Sequence, residues 1–140
     1  MNKITEAFVK KLNEIEVKYD IDENEEGYDW VGIQQVGEHS NNIYMQIFID
    51  DSLQDIQIKQ FSLCKVAEEK EVDMLKTLNE LNAEYRWVKF YIDMKNKEVT
   101  ANMDIDPNGE DVGQAVVDAA QLFIDIMNAA YPKIMMTLWQ

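Results

Sequence analysis

From Ile43 to Ile49 the chain alternates: Ile43, Met45, Ile47 and Ile49 fall on one side, and Tyr44, Gln46 and Phe48 on the other. A period of two residues is the mark of a strand with one buried face. Tyr28 to Val36, rich in aromatic and β-branched residues, reads as a strand before it, and Gly37 to Asn42 supplies the turn, so the two form a hairpin. Asp50, Asp51 and Ser52 make the next turn, after which Ile56, Ile58 and Gln60 alternate with Gln57, Lys59 and Phe61 in a third strand. Further on, Val88, Phe90 and Ile92 share a face, Met94 to Lys97 makes a short polar turn, and Val99, Ala101, Met103 and Ile105 return along the same core.

Three segments carry a helical period instead. Ile4, Phe8, Leu12, Ile15 and Tyr19 recur every three or four residues and predict a first helix ending near Tyr19; the acidic run from Asp20 to Glu26, with Gly27, reads as a solvated connector. Glu68 to Ala83 predicts a second helix, with Val72, Leu75, Leu78 and Leu81 or Asn82 on its apolar side. In Val112 to Tyr131 the polar residues Gln114, Asp118, Gln121, Asp125 and Asn128 keep to one stripe, and nearly everything else is apolar. Asp106 is the expected N-cap and Pro107 the first helical residue, while Pro132 is expected to end the helix. Its dry surface, which includes Val112, Val117, Leu122, Phe123, Ile126 and Met127, exceeds what one sheet face usually covers. Two neighbours are therefore expected, the second being either the chain's own tail, Ile134 to Trp139, or the same helix of another subunit. The order α-β-β-β-α-β-β-α predicts a single α+β domain over residues 1–140, with one antiparallel sheet covered mainly on one side.

At 140 residues and 46% hydrophobic content, the chain should bury about two thirds of its extended surface. Thirteen Lys and Arg stand against 27 Asp and Glu, a net charge of −14, with Arg86 the only arginine and no basic run. That balance disfavours nucleic acid and gives a soluble, self-repelling surface. Cys64 has no partner for an internal disulfide, which suits a reducing compartment, with the cytoplasm as the default. Met1 to Lys11 lacks the continuous apolar core of a secretory signal. Val112 to Tyr131 has the length of a membrane span, but Asp118 and Asp125 at its centre would be expensive in lipid.

No reaction is written in these residues. Asp104, Asp106, Asn108 and Gly109 occupy positions one, three, five and six of a calcium-loop pattern, but the eighth is Asp111 and the twelfth Ala115, and turn and cap chemistry accounts for them. His39 is the sole histidine and sits in a turn, so neither a Cys-His pair nor a zinc cage is expected. Carboxylates are abundant, but no phosphate cradle or serine elbow accompanies them. The expectation is therefore no enzyme, no catalytic residue, no metal and no cofactor. The eight methionines read chiefly as core filler.

Trp87 and Tyr91 lie with Lys89 opposite Val88, Phe90 and Ile92, and Tyr44 and Phe48 are similarly placed on their strand. The plain reading covers Trp87 and Tyr91 with a loop or the tail, Trp139 or Leu138 lying across them. The functional reading makes these aromatics anchors for a partner, and one patch if their strands share a sheet. The expected partner-binding residues are Tyr44, Phe48, Trp87 and Tyr91 on the sheet and Phe123, Met127 and Trp139 on the last helix and tail. Acidic residues at the rim would select basic partners. A sensor of calcium or a small molecule, using a pocket between sheet and helix, is the alternative.

The segment Leu78, Asn79, Leu81, Asn82, Trp87, Val88, Lys89, Phe90, Tyr91 and Ile92, followed by Glu98, Val99 and Ala101, resembles the YbjN family. The order of elements agrees from the first strand through the last helix. The resemblance implies a fold similar to the type III secretion chaperones, small acidic proteins that commonly dimerise and hold extended client segments. It implies a non-enzymatic binding or regulatory role, of the kind described as sensory transduction regulation, and a homodimer. It carries over no catalytic residue.

Overall fold

The computed structural model describes residues 1–23 and 27–140. Helix α1 (Lys3–Glu14) opens at Asn2, whose side chain accepts hydrogen bonds from the Thr5 backbone N–H and hydroxyl, both at 2.8 Å. It ends earlier than its apolar period suggests. Glu16 turns into the left-handed region at φ 59°, and Val17 N–H reaches back to Leu12 O at 3.0 Å, closing a Schellman stop. Ile15 is exposed in consequence, and Tyr19 packs against the core from outside the helix.

Six strands follow: β1 (Asp20–Glu23), β2 (Tyr28–Val36), β3 (Asn42–Asp50), β4 (Asp55–Gln60), β5 (Lys89–Asp93) and β6 (Glu98–Ile105). All pairings are antiparallel, in the order β1-β2-β3-β4-β6-β5. β1 corrects the expected connector. Asp20–Glu23 is exposed throughout and pairs only through its backbone, so it has no apolar face to announce it. The remaining connector residues, 24–26, lie outside the described residues. The expected hairpins and their alternation are present, and Val31, Ile43, Ile47, Ile49, Ile56, Ile58 and Val99 are fully buried on one face of the sheet.

That face is covered by α3 (Val112–Trp139), flanked by α1 and by α2 (Glu71–Glu84), which follows a 3-10 turn at Glu68–Lys70. α1 crosses α3 so closely at Gly113 that a Cβ there would lie 2.4 Å from Ala7 O. α2 runs antiparallel to the far half of α3, with Thr77 and Thr137 hydroxyls 2.6 Å apart and Lys133 Nζ donating to Glu84 at 2.6 Å. Within the chain, the second covering of α3 comes from two helices, α1 and α2, and not from a tail folded back on it.

Three expectations about the helices are corrected. α2 buries Met74, Leu78 and Leu81, leaving Val72 and Leu75 exposed. α3 starts at Val112, with Asp111 as its cap accepting from Gln114 N–H at 3.1 Å, while Asp106 instead accepts from Asn108 N–H at 2.9 Å in the preceding loop. Pro132 does not stop α3, which continues to Trp139. An interior proline costs about 3 kcal/mol. Burial of Ile134 contributes about 1.5–3 kcal/mol, and the contacts of Thr137 and Lys133 with α2 add to it, so docking offsets the lost bond.

The sheet edge at β5 is sealed from within. Asn82, on α2, accepts from Phe90 N–H at 2.7 Å and donates to Phe90 O at 3.0 Å, doing what a neighbouring strand's peptide would do. Lys89 Nζ donates to Asn82 O at 2.8 Å and Tyr85 O at 2.9 Å, satisfying carbonyls at the end of α2.

Candidate functional site

With every helix on one face, the other face of the sheet has no layer over it among the described residues, and the side chains opposite the core line it. Register sets Trp30 across from Phe48, and Phe48 across from Gln57. Gly32 lies in the same strand as Trp30. A Cβ at Gly32 would fall 2.7 Å from the Trp30 ring and 2.9 Å from the Tyr44 hydroxyl, so both aromatics lie over its bare backbone. The Trp30 indole N–H donates to Gln46 Oε1 at 3.2 Å.

Beside this pair, Phe48 is flanked by Tyr28, its ring centroid 6.3 Å away and tilted by 55°, and by Phe61 at 6.4 Å, edge to face. Lys59 Nζ sits 5.8 Å from the Phe61 ring centre. These side chains, with Asp50, Asp55 and Gln57, line a depression of about 220 Å³. Asp50 and Asp55 are register partners, so two carboxylates stand directly opposite on this face. Hydrogen bonds from Leu53 N–H at 3.1 Å and the Ser52 hydroxyl at 2.8 Å hold the Asp50 carboxyl below its ordinary pKa, keeping it ionised.

The expected partner-binding residues separate into three groups. Tyr44 and Phe48 belong to this aromatic cluster. Tyr91 shares its face but lies on the edge strand β5, with β4 and β6 between, about 14 Å away at ~4.8 Å per strand, and Trp87 stands in the bend just before β5; the expected single patch is two. Trp87 and Tyr91 are also uncovered, 56% and 43% exposed, because the tail belongs to α3 on the far side of the sheet. Trp139, at the end of α3, is 82% exposed and lies across neither. Phe123 and Met127 are fully buried and are core, not surface. Tyr28, Trp30 and Phe61 were not singled out by the pattern, although Tyr28 and Trp30 alternate with Asp29 and Val31, both buried.

Elsewhere the chemistry is sparse. The depression between α1, the sheet and α3, lined by Leu12, Ile33, Met45, Val117 and Ile124, holds about 90 Å³. A shallow shelf of about 500 Å³ along α1 presents one helix surface, including Glu6, Val9, Lys10 and Asn13, with no converging groups. No group of three or more His, Cys, Asp and Glu is placed to hold a metal among the described residues. Burial pushes the Cys64 thiol up to about 11, so it stays protonated at neutral pH. His39 stacks on Tyr131 with ring centres 6.2 Å apart. No helix among the described residues is long and apolar enough to cross a membrane.

A model of the YbjN family, described as "Putative bacterial sensory transduction regulator", matches residues 10–135. Among solved structures, the crystal structure of YbjN from E. coli, described as "a putative transcription regulator", is similar with a TM-score of 0.62. That similarity covers 91% of each chain at 12% sequence identity, which shows a shared fold. The curated proteins give no match.

Proposed function

The chain belongs to the YbjN family, and from that premise we propose that it is a non-enzymatic regulatory module that binds a protein partner or client segment on the uncovered face of its sheet. One observation carries this reading: among the described residues a six-stranded sheet has its helices on one side and keeps aromatic side chains on the other, with Tyr91, and Trp87 in the bend before its strand, about half exposed. Large aromatics in water bury much area on contact with few rotors to freeze. The rival sensor reading has less support, since the pocket between sheet and helix, at about 90 Å³, is far below the ~300–1,000 Å³ of small-molecule sites.

A homodimer belongs to the proposal, on a different footing from the one the sequence suggested. α1 and α2 cover one side of α3, and the exposed apolar side chains near the start of α2 and the end of α3, among them Val72, Leu75, Met136 and Trp139, offer a surface to a second copy. The lone, protonated Cys64 fits a cytoplasmic setting.

The test is comparative affinity capture with the tagged wild type and a Trp87→Ser/Tyr91→Ser variant that melts at the same temperature. A partner held by the first and lost by the second supports the reading, and equal retention sinks it. Multi-angle light scattering should find twice the 16.4 kDa chain mass; a monomer removes the dimer from the proposal.

A further inference from the structure

Resting on the reading above, we propose that the aromatic depression between β2, β3 and β4 receives an Arg or Lys side chain from a basic segment of the partner protein. Three aromatic rings and two carboxylates converge there. Phe48 stands between Tyr28 and Phe61, and Asp50 faces Asp55 across the β3–β4 pairing. Like charges directly opposite one another weaken a sheet, and a cation seated between them turns that repulsion into attraction. The site already shows this preference within the chain, because Lys59 lies over Phe61 at 5.8 Å while Tyr28 and Phe48 hold no cation of their own among the described contacts. Asp50 remains ionised because the Leu53 N–H and Ser52 hydroxyl bind its charged form.

The size of the depression narrows the occupant. About 220 Å³ suits one long side chain and falls short of the usual small-molecule pocket. The surrounding field selects its sign: register places Asp20, Asp22 and Asp104 on this same face, against Lys59 and Lys89. A second copy is disfavoured as the occupant, since a symmetric contact would press this acidic face against itself on chains of charge −14. Trp30 and Tyr44, alongside on the bare backbone of Gly32, offer apolar contact to residues neighbouring the inserted cation. A basic segment interspersed with apolar residues meets all of these features.

The probes are two fluorescently labelled peptides of roughly ten residues, one alternating Arg with Leu and the other Glu with Leu, titrated with the full chain by anisotropy. The Arg peptide should bind and the Glu peptide should not. Asp50→Asn/Asp55→Asn should weaken Arg-peptide binding roughly tenfold or more, as should Phe61→Leu, which leaves the Asp50 turn intact. Asp118→Asn/Asp125→Asn, the same charge change on the helical side, should leave binding unchanged. Equal losses in both charge variants would reveal attraction to net charge alone and overturn the proposal. Failure of both peptides to bind, or binding of arginine methyl ester as tight as the peptide's, also overturns it. Equal binding of both peptides removes the cation site yet leaves the protein-binding face standing, which separates this inference from the reading beneath it.

Discussion

Replacing Asn82 with alanine removes both hydrogen bonds that the side chain makes to the Phe90 backbone, at 2.7 and 3.0 Å. Each such bond contributes about 1 kcal/mol net, and a shielded N–H left unpaired costs about 1–3 kcal/mol more. Phe90 is 2% exposed, so water gains little access to repair the loss. The expected destabilisation is about 2–3 kcal/mol, a large share of the roughly 5–15 kcal/mol typical of a domain. For a chain of this size the melting temperature should fall by about 10 °C. Thermal and urea unfolding followed by far-ultraviolet circular dichroism at neutral pH would measure it. Asn82→Asp should cost at least as much, because it keeps the acceptor but turns a carboxylate oxygen toward the Phe90 carbonyl. A loss below about 0.5 kcal/mol for the alanine variant, the range of a neutral surface change, would refute the idea that this one carboxamide seals the β5 edge.

Gly113→Ala should destabilise by about 1–2 kcal/mol despite alanine's better helix propensity, because the new Cβ meets Ala7 backbone at 2.4 Å and α1 must shift; a higher urea midpoint would contradict the close crossing. Pro132→Ala should do the opposite, restoring an N–H to α3 and gaining about 1–2 kcal/mol, whereas a lower midpoint would mean the helix needs its proline. Asp50 and Asp111 have folded pKa values below the ordinary 3.8, lowered first by the Leu53 and Gln114 backbone N–H groups respectively. Their stabilisation is present above that ordinary value and is lost as pH falls through the folded ones. Asp50→Asn and Asp111→Asn should therefore melt below wild type at neutral pH, with the gap closing as pH falls below the ordinary carboxylate value; a gap independent of pH would refute it.

What was legible in the sequence was whatever buried one side of an element. Ile43, Met45, Ile47 and Ile49 declare β3 because each odd residue is in the core, and the polar stripe from Gln114 to Asp125 marks the outside of α3. β1 was illegible because its stabilisation lies in backbone pairing, which leaves no side-chain pattern. The end of α3 was misjudged because a local rule about Pro132 was outweighed by contacts with α2 far away in sequence. On α2, helical spacing runs through Val72 and Leu75 to Leu78, yet the residue one turn before Leu78 that is buried is Met74. The site was half visible: alternation puts Tyr44, Phe48, Trp87 and Tyr91 outward, but only strand order separates them into two groups and brings Tyr28 and Phe61 to Phe48.

A ribosome releases the chain from its N-terminus, so the lid over the isoleucine-lined sheet is synthesised after every strand that it shields. At about 5–20 residues per second, the completed sheet waits a few seconds, roughly 2–7 s, between Ile105 and the emergence of Trp139. During that interval the half-made protein is itself a candidate for rescue by the cell's folding machinery, and a stop codon placed ahead of Val112 would yield a sticky fragment rather than a smaller domain.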